Sequence, residues 1–417
     1  MNVGEDPERR PLGPLTGVRV LDLTRVLAGP FSTLALADLG AEVIKVEGPD
    51  IPDYTRSIPP FVGEISHYFL SANRGKKSVA LDIKTAAGRE VALRLAMVSD
   101  IVVENFRPGV LGRLGLDYST LSAHKPDIIL CSLSGFGQDT SLSGKASVDT
   151  VVQALSGAMS VNGERDGPPI KLGLPMGDLA GSMWAVVGIL AALHHRNQSG
   201  RGSHVDISLL DSLISQLSYL SELYLVTGES PGRVGSNHHT VPAYGRYEVK
   251  DGYLVLAAQM DRFWRNFCEV VGRPELASDP RFRTVADRRQ HYAEVEALVT
   301  EIMLTKRLAE WLRLLDEGDI PHAPVLSIGE ALEQPYVGER RLVRTLHQPG
   351  AGTVRVVGPP IKFQGFQESG LEPAPLLGQH TRELLMRLLG MTPAEIDRLV
   401  AEGAASESGT SSRPADS

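Results

Sequence analysis

Four segments of this 417-residue chain carry residues whose types and spacing could do chemistry. The first, Leu27-Ala28-Gly29-Pro30, lies between a short apolar strand pattern and a helix pattern. A backbone turn at a helix N-terminus can cradle an anionic or nucleotide ligand with its unpaired N–H groups, although a plain βα turn has the same look. It is not G-x-G-x-x-G, so a dinucleotide site has no support. The second, Asn73-Arg74-Gly75-Lys76-Lys77-Ser78 with Leu81-Asp82-Ile83-Lys84 after it, is a cluster of cations around one strand pattern. These suit the phosphates of a nucleotide, through charge-assisted hydrogen bonds, or a lysine-guarded edge strand. In the third, Glu104-Asn105-Phe106-Arg107-Pro108-Gly109 with Arg113 beyond it, Asn105 and Phe106 could grip a nucleobase and the arginines a phosphate. A Pro-Gly turn with incidental charge fits that segment equally. The fourth is Asp178, which opens a long apolar helix pattern behind Pro175 and Gly177. Asp is a preferred N-cap, worth about 1 kcal/mol over Ala, and the same helix end favours an ionised carboxylate.

Two histidine pairs complete the inventory. His238 and His239 sit in a Gly/His/Asn loop over residues 228–242, where they could bind a substrate carboxylate or lie in solvent. His194 and His195 close the Asp178 helix and suit its C-terminal dipole. Cys131 and Cys268 lie in apolar runs and read as reduced, buried thiols, too few for a disulfide framework. No Cys/His spacing suggests a metal site.

Strands alternating with helices must position these residues. Residues 18–23 read as a strand, 31–39 as a helix and 41–46 as the next strand, which is the opening of a parallel sheet. Strand patterns follow at 79–83, 101–103 and 128–133, with a helix over 85–98. The expected fold is α/β, a doubly wound parallel-sheet large domain with ligands beyond the carboxyl ends of its strands. Helices are expected over 148–159, 178–195 and 207–226, the last with a stripe of core leucines at 209, 210, 213, 217, 220 and 223. A hairpin over 244–258 turns at Lys250-Asp251-Gly252. Helices over 263–271 and 293–315 then complete a smaller α+β domain inserted late in the chain. The expected layout is a flexible N-terminus (1–14), the large domain (15–227 and 326–403), the small domain with its linkers (228–325), and a disordered Ser/Gly/Ala/Pro-rich tail (404–417).

The chain is 42% hydrophobic and 22% charged, which is ordinary globular composition, and its net charge of −8 argues against a nucleic-acid surface. The N-terminus lacks an apolar signal core, and the longest helical apolar run, residues 183–193, is too short to span a bilayer. These observations predict a cytoplasmic enzyme without nucleic-acid or membrane partners.

Taken in order, the segments resemble the family III CoA-transferases, the CaiB/BaiF group. The matching stretches are Gly17-Val-Arg-Val-Leu-Asp22, Ala28-Gly-Pro-Phe31, Leu39-Gly-Ala-Glu-Val-Ile-Lys-Val-Glu47, Asn73 to Ser78, Glu104 to Gly109, Gly177-Asp178, Gly188-Ile-Leu-Ala-Ala-Leu193, Gly200-Arg-Gly202, Asp279-Pro-Arg-Phe282, Ile320-Pro-His-Ala-Pro-Val325 and Pro375-Leu-Leu-Gly-Gln-His380. The look is nearest to dicarboxylate transferases of the succinate–hydroxymethylglutarate type. The resemblance implies an interlocked homodimer, coenzyme A and its thioesters as substrates, and no tightly bound cofactor. It implies that Asp178 is the nucleophile, forming an acyl-aspartyl anhydride and then an aspartyl-CoA thioester. It places CoA contacts on Leu27, Ala28, Lys84, Asn105, Phe106, Arg107, Arg113 and Lys145, while His238 and His239 stand as substrate contacts on their loop position alone.

This chain departs from its resembled family at two places. The Gly-rich closing loop of formyl-CoA transferase is replaced by Gly235-Ser-Asn-His-His-Thr240, and Leu27 stands where that enzyme has a Gln, which speaks against oxalate. The family's racemases carry a His directly before the residue matching Asp149, where this chain has Val148, so two-base proton transfer lacks a partner. α-Methylacyl-CoA racemisation and a non-catalytic CoA-binding role remain the alternatives.

Overall fold

The structure, a computed structural model, describes residues 13–366 and 371–408. The described residues form two compact units, one of residues 13–156, 173–217, 336–366 and 371–408, the other of Gly157–Leu172 and Ser218–Pro335. Where 228–325 was expected for the smaller domain, the second unit runs over Ser218–Pro335 and takes in Gly157–Leu172 from upstream.

The first unit is built on a seven-stranded sheet. Its strands are β1 (Arg19–Asp22), β2 (Glu42–Glu47), β3 (Lys77–Leu81), β4 (Ile101–Glu104), β5 (Ile129–Ser134), β6 (His204–Ser208) and β7 (Ala405–Ser406). The order is β7-β3-β2-β1-β4-β5-β6, with every pair parallel except β7 against β3. The strand order reverses between β1 and β4, so a crevice is expected beyond their carboxyl ends. The Leu27 turn follows β1 and Asn105 follows β4, which puts two of the four chemistry-bearing segments at that switch point.

Period-2 alternation divides the sheet's faces. Leu21, Ile44, Val79 and Val102 face a core shared with Val91 and Leu95 of α2 (Ala86–Met97) and with Leu384, Leu385 and Ile396 of the C-terminal helices. Asp22 points to the other face, toward α1 (Ala28–Asp38), and α1 packs there against α4 (Met176–Ser199). α3 (Asp149–Leu155) also packs on α4.

The second unit has a three-stranded antiparallel sheet, from Tyr244–Val249, Gly252–Ala257 and His322–Pro324. Its core includes Trp264, Phe267 and Trp311. The hairpin turns at Lys250-Asp251 as expected from the sequence.

Several local expectations change. Residues 207–226 do not form one helix: Ile207 pairs with Leu133 in the sheet, and two helices follow, Leu209–Gln216 and Tyr219–Thr227. Of the leucine stripe only Leu209 and Leu213 are buried, and Tyr219–Thr227 buries none of its residues. The expected helix over 293–315 divides into Tyr292–Met303 and Leu308–Glu317. The helix bearing Asp178 runs 24 residues, long and apolar enough by length and composition to cross a bilayer, unlike the short run expected. Its Ala180, Gly181, Ala185, Ile189 and Leu193 are nevertheless buried in the protein. The tail expected to be disordered from residue 404 instead opens with an ordered pair: Ala404 and Ala405 are buried, and β7 lengthens the sheet. Residues 409–417, and residues 1–12 of the expected flexible N-terminus, lie outside the described residues.

Candidate functional site

Asp178 is the third residue of α4, and Pro175 holds the N-cap position without a side-chain cap bond. The simple cap expected of Asp178 is therefore corrected. The capping oxygen comes from Asp149, the first residue of α3, whose Oδ1 accepts from the backbone N–H of Gly177 at 2.8 Å and of Asp178 at 3.3 Å. Gln153 Nε2 donates to Asp149 Oδ2 at 2.7 Å and holds the acid in place. Gly177 has to be small: a Cβ there would sit 3.0 Å from Asp149 Oδ1 and 3.1 Å from Val152 Cγ1.

The Asp178 carboxylate, freed from capping, takes no hydrogen bond from any described residue and faces a cavity of about 670 Å³. Burial, together with the negative charge of Asp149, raises its pKa from 3.8 to about 7. This differs from the expectation that the helix end keeps it fully ionised. Desolvation outweighs the dipole, because no donor replaces the lost water.

The cavity gathers most of the residues singled out in the sequence. Leu27, Ala28, Asn105, Phe106, Arg107 and Lys145 all line it with Asp178. Arg25 and Phe106 also line a smaller pocket of about 100 Å³ that includes Lys84 and the Gly48-Pro49-Asp50 turn. The two pockets share a wall, with the Arg25 guanidinium 5.9 Å from the Phe106 ring centroid. α1 starts at the cavity with no side-chain cap, so the N–H groups of Ala28 and Gly29 have no helical acceptor.

Other residues are placed elsewhere. Arg113 is exposed on the short helix Val110–Arg113 and lines neither pocket. Of the second segment's cations only Lys84 lines a pocket, and the others are paired with carboxylates of the fold. Arg74 makes a bidentate pair with Asp38, and Lys77 pairs with Glu42. Lys76 is fully buried and donates to Asp22 Oδ2 at 3.0 Å, Pro30 O at 2.9 Å and Asn73 Oδ1 at 2.9 Å. Burial lowers the Lys76 pKa to about 8 against the pull of Asp22, so the pair stays ionised at neutral pH. Asn105 also does more than line a pocket. Its amide clamps the Arg25 peptide on both sides, Arg25 N to Oδ1 at 2.9 Å and Nδ2 to Arg25 O at 2.8 Å.

His238 and His239 belong to the second unit. His238 is stacked between Tyr219 and Tyr244, with ring centroids 5.3 and 5.6 Å away. Its Nδ1 accepts from Thr240 N at 3.2 Å, which leaves the proton on Nε2. His239 Nε2 lies 2.8 Å from Gly232 O and is engaged there.

Sequence reasoning missed several residues of the cavity wall, two serines and a tyrosine among them. Ser134 and Ser147 line it with buried hydroxyls that have no partner among the described residues. Tyr68 lines it too, its phenol pKa raised by burial and by Asp178, Asp149 and Asp53. Single serines and a tyrosine give no periodic or charge signal, so only the closed fold reveals them. Among the described residues, no cluster of His, Cys, Asp and Glu could hold a metal.

Residues 15–381 match the family described as CoA-transferase family III. The chain is 39% identical over 391 residues to the succinyl-CoA:glutarate CoA-transferase of Mus musculus, covering 94% of this chain and 90% of that one. It is 40% identical over 392 residues to the succinyl-CoA:mesaconate CoA-transferase of Haloarcula hispanica, covering 90% and 96%. A solved CAIB/BAIF family protein from Brucella suis shares the fold with a TM-score of 0.79 at 33% identity, covering 90% of this chain and 99% of that one.

Proposed function

Because this chain belongs to the family III CoA-transferases and is a CoA-transferase, we propose that it moves CoA from succinyl-CoA or another dicarboxylyl-CoA to a carboxylic acid acceptor through covalent intermediates on Asp178. The observation that carries this reading is the Asp178 carboxylate itself, desolvated and unpaired, in one cavity with Leu27, Ala28, Asn105, Phe106, Arg107 and Lys145. The dicarboxylate substrates rest on the relatives' activities toward succinyl-CoA with glutarate or mesaconate.

CoA lies along the joined pockets in this proposal. Lys84 meets the nucleotide phosphates at the small pocket, and the thioester reaches the large one. Arg107 and Lys145 supply further cationic contacts, while the exposed Arg113 reaches only a part of CoA outside these walls. The ionised Asp178 attacks the thioester carbonyl, the C–S bond breaks, and a mixed anhydride and CoA thiolate result. The thiolate then attacks the Asp178 carbonyl carbon and expels the donor acid, leaving an aspartyl-CoA thioester. The acceptor carboxylate attacks that carbon and releases the thiolate. The thiolate takes the acceptor's acyl carbon and returns Asp178 as a carboxylate. Each tetrahedral oxyanion needs donors, and the uncapped N-terminus of α1, with Ala28 at the cavity wall, is the proposed source. His238 of the second unit keeps an Nε2 proton that suits a carboxylate, and the engaged His239 buttresses its loop.

Racemisation is disfavoured because the residue before Asp149 is Val148, exposed and without a proton to give. Purified protein incubated with succinyl-CoA and glutarate is expected to form glutaryl-CoA, with no solvent deuterium entering the α-carbon of an α-methylacyl-CoA. Deuterium exchange without transfer to any dicarboxylate would replace this reading with the racemase one.

We further propose a cytoplasmic homodimer, in which α4 and the helix Tyr219–Thr227 meet a partner subunit. Met183, Trp184, Val187 and Leu190 on the outer side of α4, and Tyr224, Leu225 and Val226 on the second helix, are large apolar side chains left exposed. Light scattering is expected to give about twice the 45.0 kDa chain mass, and a monomer at micromolar concentration would contradict the proposal.

A further inference from the structure

The turn that follows β1 holds a backbone conformation its own residues do not favour. Val26 has φ +69°, in the left-handed region, although it is β-branched. There its Cβ crowds the following carbonyl, and β-branched residues avoid the region. Such a residue persists only where its surroundings over-determine it, and such positions cluster at functional sites. Val26 lines the Asp178 cavity and directly precedes Leu27 and Ala28.

The holding groups come from separate parts of the chain. Thr24 N donates to Asp22 Oδ1 at 2.9 Å, and Thr24 O accepts from Lys45 Nζ at 2.8 Å. The Arg25 peptide is clamped by Asn105. The Val26 N–H is shared between Asp53 Oδ1 at 3.2 Å and Oδ2 at 3.3 Å. Asp53 is fixed in turn by Lys45 Nζ at 3.0 Å and by the Thr55 N–H and hydroxyl at 3.0 and 2.8 Å. Asp53 is 1% exposed and Lys45 0%, and neither lines the cavity.

We propose that Asp53, anchored by Lys45, is a positioning residue: it locks Val26 in the left-handed conformation and thereby presents Leu27, Ala28 and the first N–H groups of α1 to the acyl-CoA opposite Asp178. This rests on the reading of the cavity as the CoA site. If the Val26 N–H is released, the peptide relaxes toward negative φ and the α1 N-terminus turns away from the thioester.

The test is a double-mutant cycle between Asp53→Ala and Val26→Gly in the full chain. It is read as kcat/KM for succinyl-CoA, as the Kd for free CoA by calorimetry, and as Tm. Asp53→Ala is expected to lower kcat/KM by roughly 10-fold or more and to weaken CoA binding. With Val26→Gly present, the same change costs about 3-fold or less, because glycine holds φ +69° unaided. The loss of Tm is expected to be alike in both backgrounds. Equal losses of kcat/KM in the two backgrounds, or full activity of Asp53→Ala, overturn the proposal.

A second comparison covers failure of Asp53→Ala to fold with Lys45 unpaired. Lys45→Met with Asp53→Asn keeps an acceptor for the Val26 N–H, and Lys45→Met with Asp53→Leu removes it. The first pair is expected to retain at least about 10-fold more activity, and equal activity overturns the proposal. Failure of the CoA-site reading looks different: Asp178→Ala would still turn over, or free CoA would not bind the wild-type protein at all.

Discussion

Asp178→Asn is expected to lower CoA transfer by at least about 10⁴-fold while still binding CoA, because it removes the one group that forms a bond to the acyl carbon. Loss of a nucleophile differs from loss of a binding group: kcat falls and the Kd for CoA stays near wild type. The same variant has a stability signature of definite sign. Burial and Asp149 raise the Asp178 carboxyl from 3.8 to about 7 in the folded protein. The folded state therefore holds a proton that the unfolded chain has released at pH between those values. Charging Asp178 destabilises the fold as pH rises through about 7, and the penalty is absent below about 3.8. Asn carries no charge, so at pH 8 Asp178→Asn is expected to be more stable than wild type by about 2–4 kcal/mol, the cavity's partial hydration setting the lower figure. The gap closes as pH falls. A variant that is dead and also less stable at pH 8 would indicate a structural role.

The second large effect is in the pH dependence of the wild-type enzyme. Only the ionised Asp178 is a nucleophile, so kcat/KM for succinyl-CoA is expected to level off above the Asp178 pKa of about 7 and to fall about tenfold per unit below it. Near pH 5 the loss is about 100-fold. Succinyl-CoA carries titrating groups of its own, and Asp149 separates the two causes. Asp149→Asn keeps an oxygen for the Gly177 N–H while removing the charge that helps raise Asp178. It is expected to move the acidic limb to lower pH. An unmoved limb belongs to the substrate, and a flat profile from pH 5 to 8 removes Asp178 as a nucleophile with a raised pKa.

How much of this was legible in the sequence depends on the range of the interaction. The β1–α1–β2 opening, the small-unit hairpin and the helix of Asp178 follow from local periodicity and turn chemistry, and the structure holds all three. The cavity residues from Leu27 to Lys145 came from the family resemblance, and the sheet's switch point explains why segments far apart in sequence meet. Long-range pairing was not legible. Arg74, Lys76 and Lys77 look like one basic patch in sequence, yet each is neutralised by a carboxylate 35 or more positions away. Asp at a helix start is the local rule and points to Asp178 as the cap of α4, whereas the capping oxygen is 29 residues upstream on Asp149. The left-handed Val26 had no signal at all, because its cause is Asp53 and not its own side chain. The 207–226 pattern misled because two successive helices continue one leucine spacing behind a strand that ends at Ser208, with Ser218 at φ +50° marking the break between them.

The most direct measurement is covalent. Wild-type protein incubated with succinyl-CoA and no acceptor, quenched and treated with hydroxylamine or borohydride, is expected to yield a single modified peptide carrying the label on Asp178. The label should be absent from Asp178→Asn, and adding glutarate should lower it as glutaryl-CoA forms. Steady transfer from succinyl-CoA to glutarate with Asp178 unlabelled, or with the label on another side chain, would contradict the account.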